Sequence, residues 1–128
     1  MSLDREIKIL VVDDNKIMRS IIRFCLVDLG FTNVVEAKHG REGLDILEAD
    51  KFQLILSDWN MEPMDGLTFL REVKKRANLK AIPFIMITAE STRENVIAAA
   101  QAGVSNYIIK PFSAETLKGK IEKVMGRI

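Results

Sequence analysis

The chain of 128 residues has a single cysteine, Cys25, so it can form no internal disulfide and no cysteine-based metal cluster. Its three prolines, Pro63, Pro83 and Pro111, are scattered, and no Gly/Ser/Pro-rich stretch, repeat or low-complexity segment divides it. No apolar run approaches the roughly 20 residues that a membrane span needs. The charged start, Met1-Ser2-Leu3-Asp4-Arg5-Glu6, is not followed by the apolar segment of a secretory signal. These absences lead us to expect a cytoplasmic protein in a reducing compartment, without membrane contact. Charge of one sign is also missing: 19 basic side chains meet 18 acidic ones, for a net of +1. That balance argues against a nucleic-acid binder that works by bulk charge. It hides a split, because residues 1–66 carry 8 basic and 13 acidic side chains and residues 67–128 carry 11 and 5.

What is present is an alternation of short apolar runs and amphipathic segments. Ile7–Val12 is nearly continuous and β-branched, as in a strand buried on both faces. Val34-Val35, Leu54–Leu56, Phe84–Ile87 and Tyr107–Ile109 are further strands. Between them, Ile17, Ile21, Phe24, Cys25 and Leu29 mark a first helix that ends at Gly30, with Cys25 as core filler. Further helices are expected over residues 41–49, from Leu67 to near Asn78, over residues 96–102 before Gly103, and along Leu117, Ile121, Val124 and Ile128. Five βα units imply an α/β fold, a parallel sheet with helices on both faces. Together they account for residues 1–128 as one expected domain without an output module.

Ligand sites in such sheets lie beyond the carboxyl ends of the strands. Asp13 and Asp14 follow the first strand, Asp58 the third, Thr88 the fourth, and Lys110-Pro111 the fifth. Three carboxylates in one crevice repel one another, and a hard divalent cation such as Mg²⁺ relieves that repulsion. With Lys110 and the Thr88 hydroxyl they would make a pocket for an anionic phosphoryl group. A carboxylate can itself be the nucleophile, and Asp58 is the best placed.

This set, with Tyr107, resembles the receiver domain of bacterial two-component response regulators, most of all its single-domain chemotaxis members. The stretches Val11-Val12-Asp13-Asp14, Ser57-Asp58-Trp59-Asn60-Met61, Met64-Asp65-Gly66-Leu67, Thr88-Ala89-Glu90 and residues 98–103 carry the likeness. The resemblance implies a (βα)5 flavodoxin-like three-layer sandwich with strand order 2-1-3-4-5. It implies that Asp58 accepts a phosphoryl group from a histidine kinase. Asp14, Asp58 and the Asn60 carbonyl would ligate Mg²⁺, with Asp13 acting through bound water. Lys110 would pair with the phosphate, through a cis Lys110-Pro111 bond. Thr88 and Tyr107 would then switch the face of the fourth helix, fifth strand and fifth helix toward a target such as a flagellar motor switch protein. A phosphatase is a further implied partner, and the protein is expected to be a monomer that catalyses only its own phosphorylation and dephosphorylation. One departure is Glu62, four residues after Asp58, where the family usually has proline; here Pro63 follows.

Other readings stay open. The same residues would serve a phosphorelay intermediate, a regulator of a non-motor target, or a binding module that works without phosphorylation. A phosphatase or mutase with an aspartyl intermediate lacks an acid/base two residues after Asp58, where Asn60 stands. A flavodoxin-type cofactor site is disfavoured by the glycine-free, acidic turn Asp13-Asp14-Asn15. Taken alone, Asp13 and Asp14 read as a helix cap, and so does Thr88. His39, Glu62 and Lys74-Lys75-Arg76 read as solvated. Asn60 and Glu90 are placed to influence how water reaches a phosphoryl group.

Overall fold

The computed structural model describes residues 4–126. Ile128 and Arg127, and the first three residues of the start, lie outside them. Five strands alternate with five helices: β1 (Ile9–Val12), α1 (Lys16–Asp28), β2 (Val34–Ala37), α2 (Gly40–Ala49), β3 (Leu54–Ser57), α3 (Gly66–Lys75), β4 (Phe84–Thr88), α4 (Arg93–Gln101), β5 (Asn106–Ile109) and α5 (Ala114–Met125). All neighbours pair in parallel, in the order β2-β1-β3-β4-β5. This is the flavodoxin-like (βα)5 arrangement.

Side chains alternate across a strand, so a sheet covered on both faces needs two cores. Leu10, Val12, Ile55, Phe84 and Met86 point into one, closed by Leu44 and Leu47 of α2, Phe69 and Val73 of α3, and Ala99 of α4. Ile9, Val11, Leu54, Leu56, Ile85 and Ile87 point into the other, closed by Ile22 and Leu26 of α1 and Leu117 and Ile121 of α5. Val124 packs against the second core as expected.

Several boundaries and one helix face differ from the sequence reading, and α4 starts at Arg93, three residues before the expected Val96. Ile7 is buried but precedes the sheet. Helix α3 stops at Lys75, because the chain turns through Arg76 to bury Leu79. The inward face of α1 is not the one expected. Ile17 and Phe24 are 73% and 74% exposed and Ile21 is exposed too, while Ile22 and Leu26 are buried with Met18, Cys25 and Leu29 packed beside them. The apolar arc of α1 is wide, from Phe24 and Ile17 round to Leu26, so periodicity offers two stripes about 100° apart. Packing on the sheet selects the one that carries Ile22 and Leu26, and Asn15, whose side chain accepts from the Met18 N–H, caps the helix start. Cys25 is thus half-buried against the core.

Leu26→Ala should therefore cost about 2–5 kcal/mol in urea unfolding, while Phe24→Ala stays within about 0.5 kcal/mol. Equal losses would mean that the helix is rotated otherwise.

Candidate functional site

Strand β1 lies between β2 and β3, which makes its carboxyl end the point where the chain reverses direction across the sheet. Val12 and Ser57 are register partners, so the residues that follow them stand side by side. The Asp58 N–H donates to the Val12 carbonyl at 2.9 Å, and the Asp13 N–H donates to the Ala37 carbonyl at 3.1 Å. Carboxylate oxygens of Asp13, Asp14 and Asp58 all lie within 4.8 Å of one another. Asp13 is 1% exposed and Asp58 8%, while Asp14 is open to solvent.

Lys110 follows the edge strand and reaches back under β4. Its Nζ donates to Asp13 Oδ2 at 3.1 Å and lies 3.5 Å from Asp58 Oδ1. The Lys110-Pro111 bond is cis, as the resemblance implied, and so is Glu62-Pro63. The Asp58 carboxyl is pushed above its ordinary value, first by burial and also by the Asp13 charge; Lys110 and the Trp59 N–H, which donates to Oδ1 at 2.7 Å, oppose the rise. Hard oxygen donors at this spacing, two of them shielded from water, suit a small dication that keeps part of its own water shell. A cleft of about 460 Å³ adjoins the cluster at Asp14, lined also by Asn60, Met61, Glu62 and Asp65.

Thr88 is fully buried at the end of β4, and its hydroxyl accepts from the Glu90 N–H at 3.1 Å. It does not cap α4; Thr92, whose hydroxyl accepts from the Asn95 N–H, does. The Tyr107 hydroxyl donates to the Glu90 carbonyl at 2.6 Å. Burial, then the charges of Glu90 and Asp58, push that phenol up to about 12. The Asn60 side chain turns from the acids and donates to Glu90 Oε1 at 2.9 Å, while Asn95 donates to Oε2 at 3.0 Å.

The acids themselves are not helix caps, since Asn15 takes that role in α1. Nor is His39 merely solvated: its Nδ1 accepts from the Glu42 N–H and caps α2. Glu62 is exposed at the cleft rim, and Lys74 is half-buried with its ammonium on the Lys80 carbonyl. Sequence reasoning missed two contributors. Gly66 packs α3 so tightly on the site that an added Cβ would overlap the Asp58 carbonyl oxygen, and its N–H donates to the Trp59 carbonyl at 2.7 Å. Arg19, an apparent surface residue of α1, is buried and donates to the Asp13 carbonyl at 2.6 Å. Gly66 lies in the Met64-Asp65-Gly66-Leu67 stretch that carried the likeness, but without an assigned role, and no motif marks Arg19.

The profile of the response regulator receiver domain matches residues 9–122. The chain therefore belongs to the receiver family, the phosphoacceptor signalling domains of response regulators, and it is of the CheY-like kind. It is 49% identical over 121 residues to the chemotaxis protein CheY of Pseudomonas aeruginosa, covering 94% of this chain and 98% of that one. It is 46% identical over 126 residues to CheY-3 of Vibrio cholerae, covering 98% and 97%. The solved structure of V. cholerae CheY4 superposes with a TM-score of 0.87 at 33% identity, covering 93% of this chain and 98% of that one. The receiver domain of the P. aeruginosa sensor histidine kinase PA1611, whose structure has a magnesium ion in the active-site cleft, superposes with a TM-score of 0.86 at 27% identity, covering 94% and 98%.

A raised carboxyl has a definite consequence for stability. The unfolded chain releases the Asp58 proton near pH 4, before the folded chain does, so ionisation costs the fold stability as pH rises through that window. Asp58→Asn in metal-free buffer should raise the thermal midpoint at pH 7, and the gain should vanish below about pH 4. A gain that persists at low pH would assign it to another cause.

Proposed function

We propose that the protein is a stand-alone response regulator that takes a phosphoryl group from a histidine kinase onto Asp58 and signals through the α4–β5–α5 face. The observation that carries this reading is the Asp58 carboxylate within 4.8 Å of those of Asp13 and Asp14, with an ammonium 3.5 Å from its oxygen. In the transfer, an Asp58 oxygen forms a bond to phosphorus as the bond from phosphorus to the donor imidazole nitrogen breaks, and the imidazole leaves to be protonated by solvent. The nucleophile needs no general base, which fits a site without histidine. Lys110 meets the growing charge on the phosphoryl oxygens. Asp14, Asp58 and the Asn60 carbonyl would hold Mg²⁺, with Asp13 acting through water, and the ion would neutralise charge on the phosphoryl group during transfer. The magnesium in the cleft of the PA1611 receiver supports this assignment.

A hydroxyl carries one donor and two acceptor sites. Thr88 accepts from Glu90 and so keeps its proton for a phosphoryl oxygen. Its shift would bias Tyr107 and the adjoining face. That face carries exposed Val96, Ile97 and Ile109, with Lys118 and Lys123 exposed and Lys120 half-buried on α5. It suits an acidic helical or extended segment with a few apolar anchors. The names of the relatives favour chemotaxis and a flagellar motor switch protein as that target.

Mg²⁺ and a small phosphodonor should label the protein once, on Asp58, and Asp58→Asn should abolish the label. Trp59, the single tryptophan, adjoins the acceptor, and its fluorescence should change on adding Mg²⁺ and again on phosphorylation. A wild-type protein that takes no label under these conditions refutes the reading.

Reversing charge at Lys120 and Lys123 together should weaken phosphorylation-dependent binding of an acidic target peptide at low salt by about tenfold, as expected for two partly screened rim charges. Affinity indifferent to both reversals would place the target elsewhere.

A further inference from the structure

A buried arginine on the inward side of α1 calls for an explanation, because burying a charge is costly unless it is paired. Arg19 is 8% exposed, on a helix whose other buried members are Ile22 and Leu26. Its guanidinium makes two bonds in different directions. Nη1 donates to the Asp13 backbone carbonyl at 2.6 Å, and Nε donates to Glu36 Oε1 of β2 at 3.1 Å. Glu36 is braced in turn by Arg23, whose Nη1 donates to Oε2 at 2.8 Å. The Asp13 carbonyl precedes the Asn15 cap and so lies outside the hydrogen-bond ladder of α1. The rest of Asp13 is already fixed: its N–H is on Ala37, Oδ1 on the Asn15 N–H and Oδ2 on Lys110.

The Asp13 carbonyl and the Asp14 N–H belong to one planar peptide. Holding the carbonyl holds the plane, and the plane sets the direction in which Asp14 leaves it. Asp14 is the solvent-open member of the acid triad, and no hydrogen bond fixes its side chain among the described residues. We propose that Arg19, oriented by Glu36, is a positioning residue that aims the Asp14 carboxylate at Asp58 and so sets metal affinity, a role that rests on the metal-dependent reading above. The role needs a planar fork that serves two acceptors at once, which an ammonium cannot reproduce. It acts through geometry: Arg19 is not among the charges that displace the Asp58 carboxyl.

The test is a Mg²⁺ titration of Trp59 fluorescence on the full chain, with thermal midpoints recorded in metal-free buffer. Arg19→Lys should weaken Mg²⁺ affinity by about tenfold, the low end of what loss of an outer-layer partner costs. Glu36→Gln, which keeps an acceptor of the same shape, should weaken it less, and the double variant should fall short of the product of the two effects. Arg23→Gln removes the brace without touching Asp13 and should leave affinity within about twofold, as expected for an exposed pair. The metal-free amide signal of Asp14 should shift in Arg19→Lys and not in Arg23→Gln. If Arg19→Lys does not fold, Glu36→Gln carries the test. Wild-type affinity in a folded Arg19→Lys, or an equal loss in Arg23→Gln, overturns the positioning role alone. A wild-type protein that ignores Mg²⁺ overturns the functional reading and this role with it.

Discussion

Asp13 and Asp58 are brought almost out of water and within reach of a single ammonium, Lys110, and much of the architecture follows from keeping them there. Two carboxylates about 4 Å apart repel by roughly 4 kcal/mol at an effective dielectric near 20. Lys110 offsets that only by bridging both, which requires the edge strand β5 to end level with β1 and β3 while its side chain passes β4. The Lys110 N–H on the Thr88 carbonyl at 2.9 Å fixes that level. Gly66 then lets α3 close on the Asp58–Trp59 backbone, and Asp65 caps the helix from the same loop. With all three acids ionised, the cluster with Lys110 carries a formal charge of −2, which a divalent cation balances.

The strands were legible because a parallel sheet covered on both faces leaves a plain mark: short β-branched runs that stop at polar residues. The acids were legible for a related reason, since the ends of those runs are where such folds keep their chemistry. The rotation of α1 was not legible. Ile17, Ile21 and Phe24 make as good an apolar stripe as Met18, Ile22 and Cys25, and only packing against the sheet separates the two. Arg19 was hidden by the same ambiguity, since a charged residue on a helix reads as solvated until its rotation is known. Thr88 and Thr92 both precede α4, and His39 precedes α2 with a ring nitrogen in capping reach. Composition cannot say which of several candidates wins such a cap.

Glu90 gathers more of the site than its half-buried loop position would suggest. Its N–H is on the Thr88 hydroxyl, its carbonyl takes the Tyr107 hydroxyl, and its carboxylate takes Asn60 on one oxygen and Asn95 on the other. One residue thus ties β4 to β5, to α4 and to the loop after Asp58. Each of these bonds contributes about 1 kcal/mol net, so exchanging two or three of them spans the few kcal/mol that separate two states of a switch. In the proposed function, a phosphoryl group that engages Thr88 disturbs this network at its first link. The affected partners, Asn95 and Tyr107, lie on the face assigned to the target.

The uneven charge of the two halves of the sequence becomes spatial in the fold. Residues 1–66 build β1, β2, β3 and the cleft rim, while the later residues build β4, β5 and the lysine-bearing helix α5. Lys110 is the basic residue that the second half lends to the acidic one. In the proposed function, an anionic phosphoryl donor that approaches the cleft meets Asp14 and Glu62 at its rim, while the Lys110 ammonium is shared between Asp13 and Asp58. The field at the entrance is therefore repulsive until a dication neutralises it. In the proposed function a bound dication would offset this charge for the incoming donor, because the Lys110 ammonium is already engaged by two carboxylates.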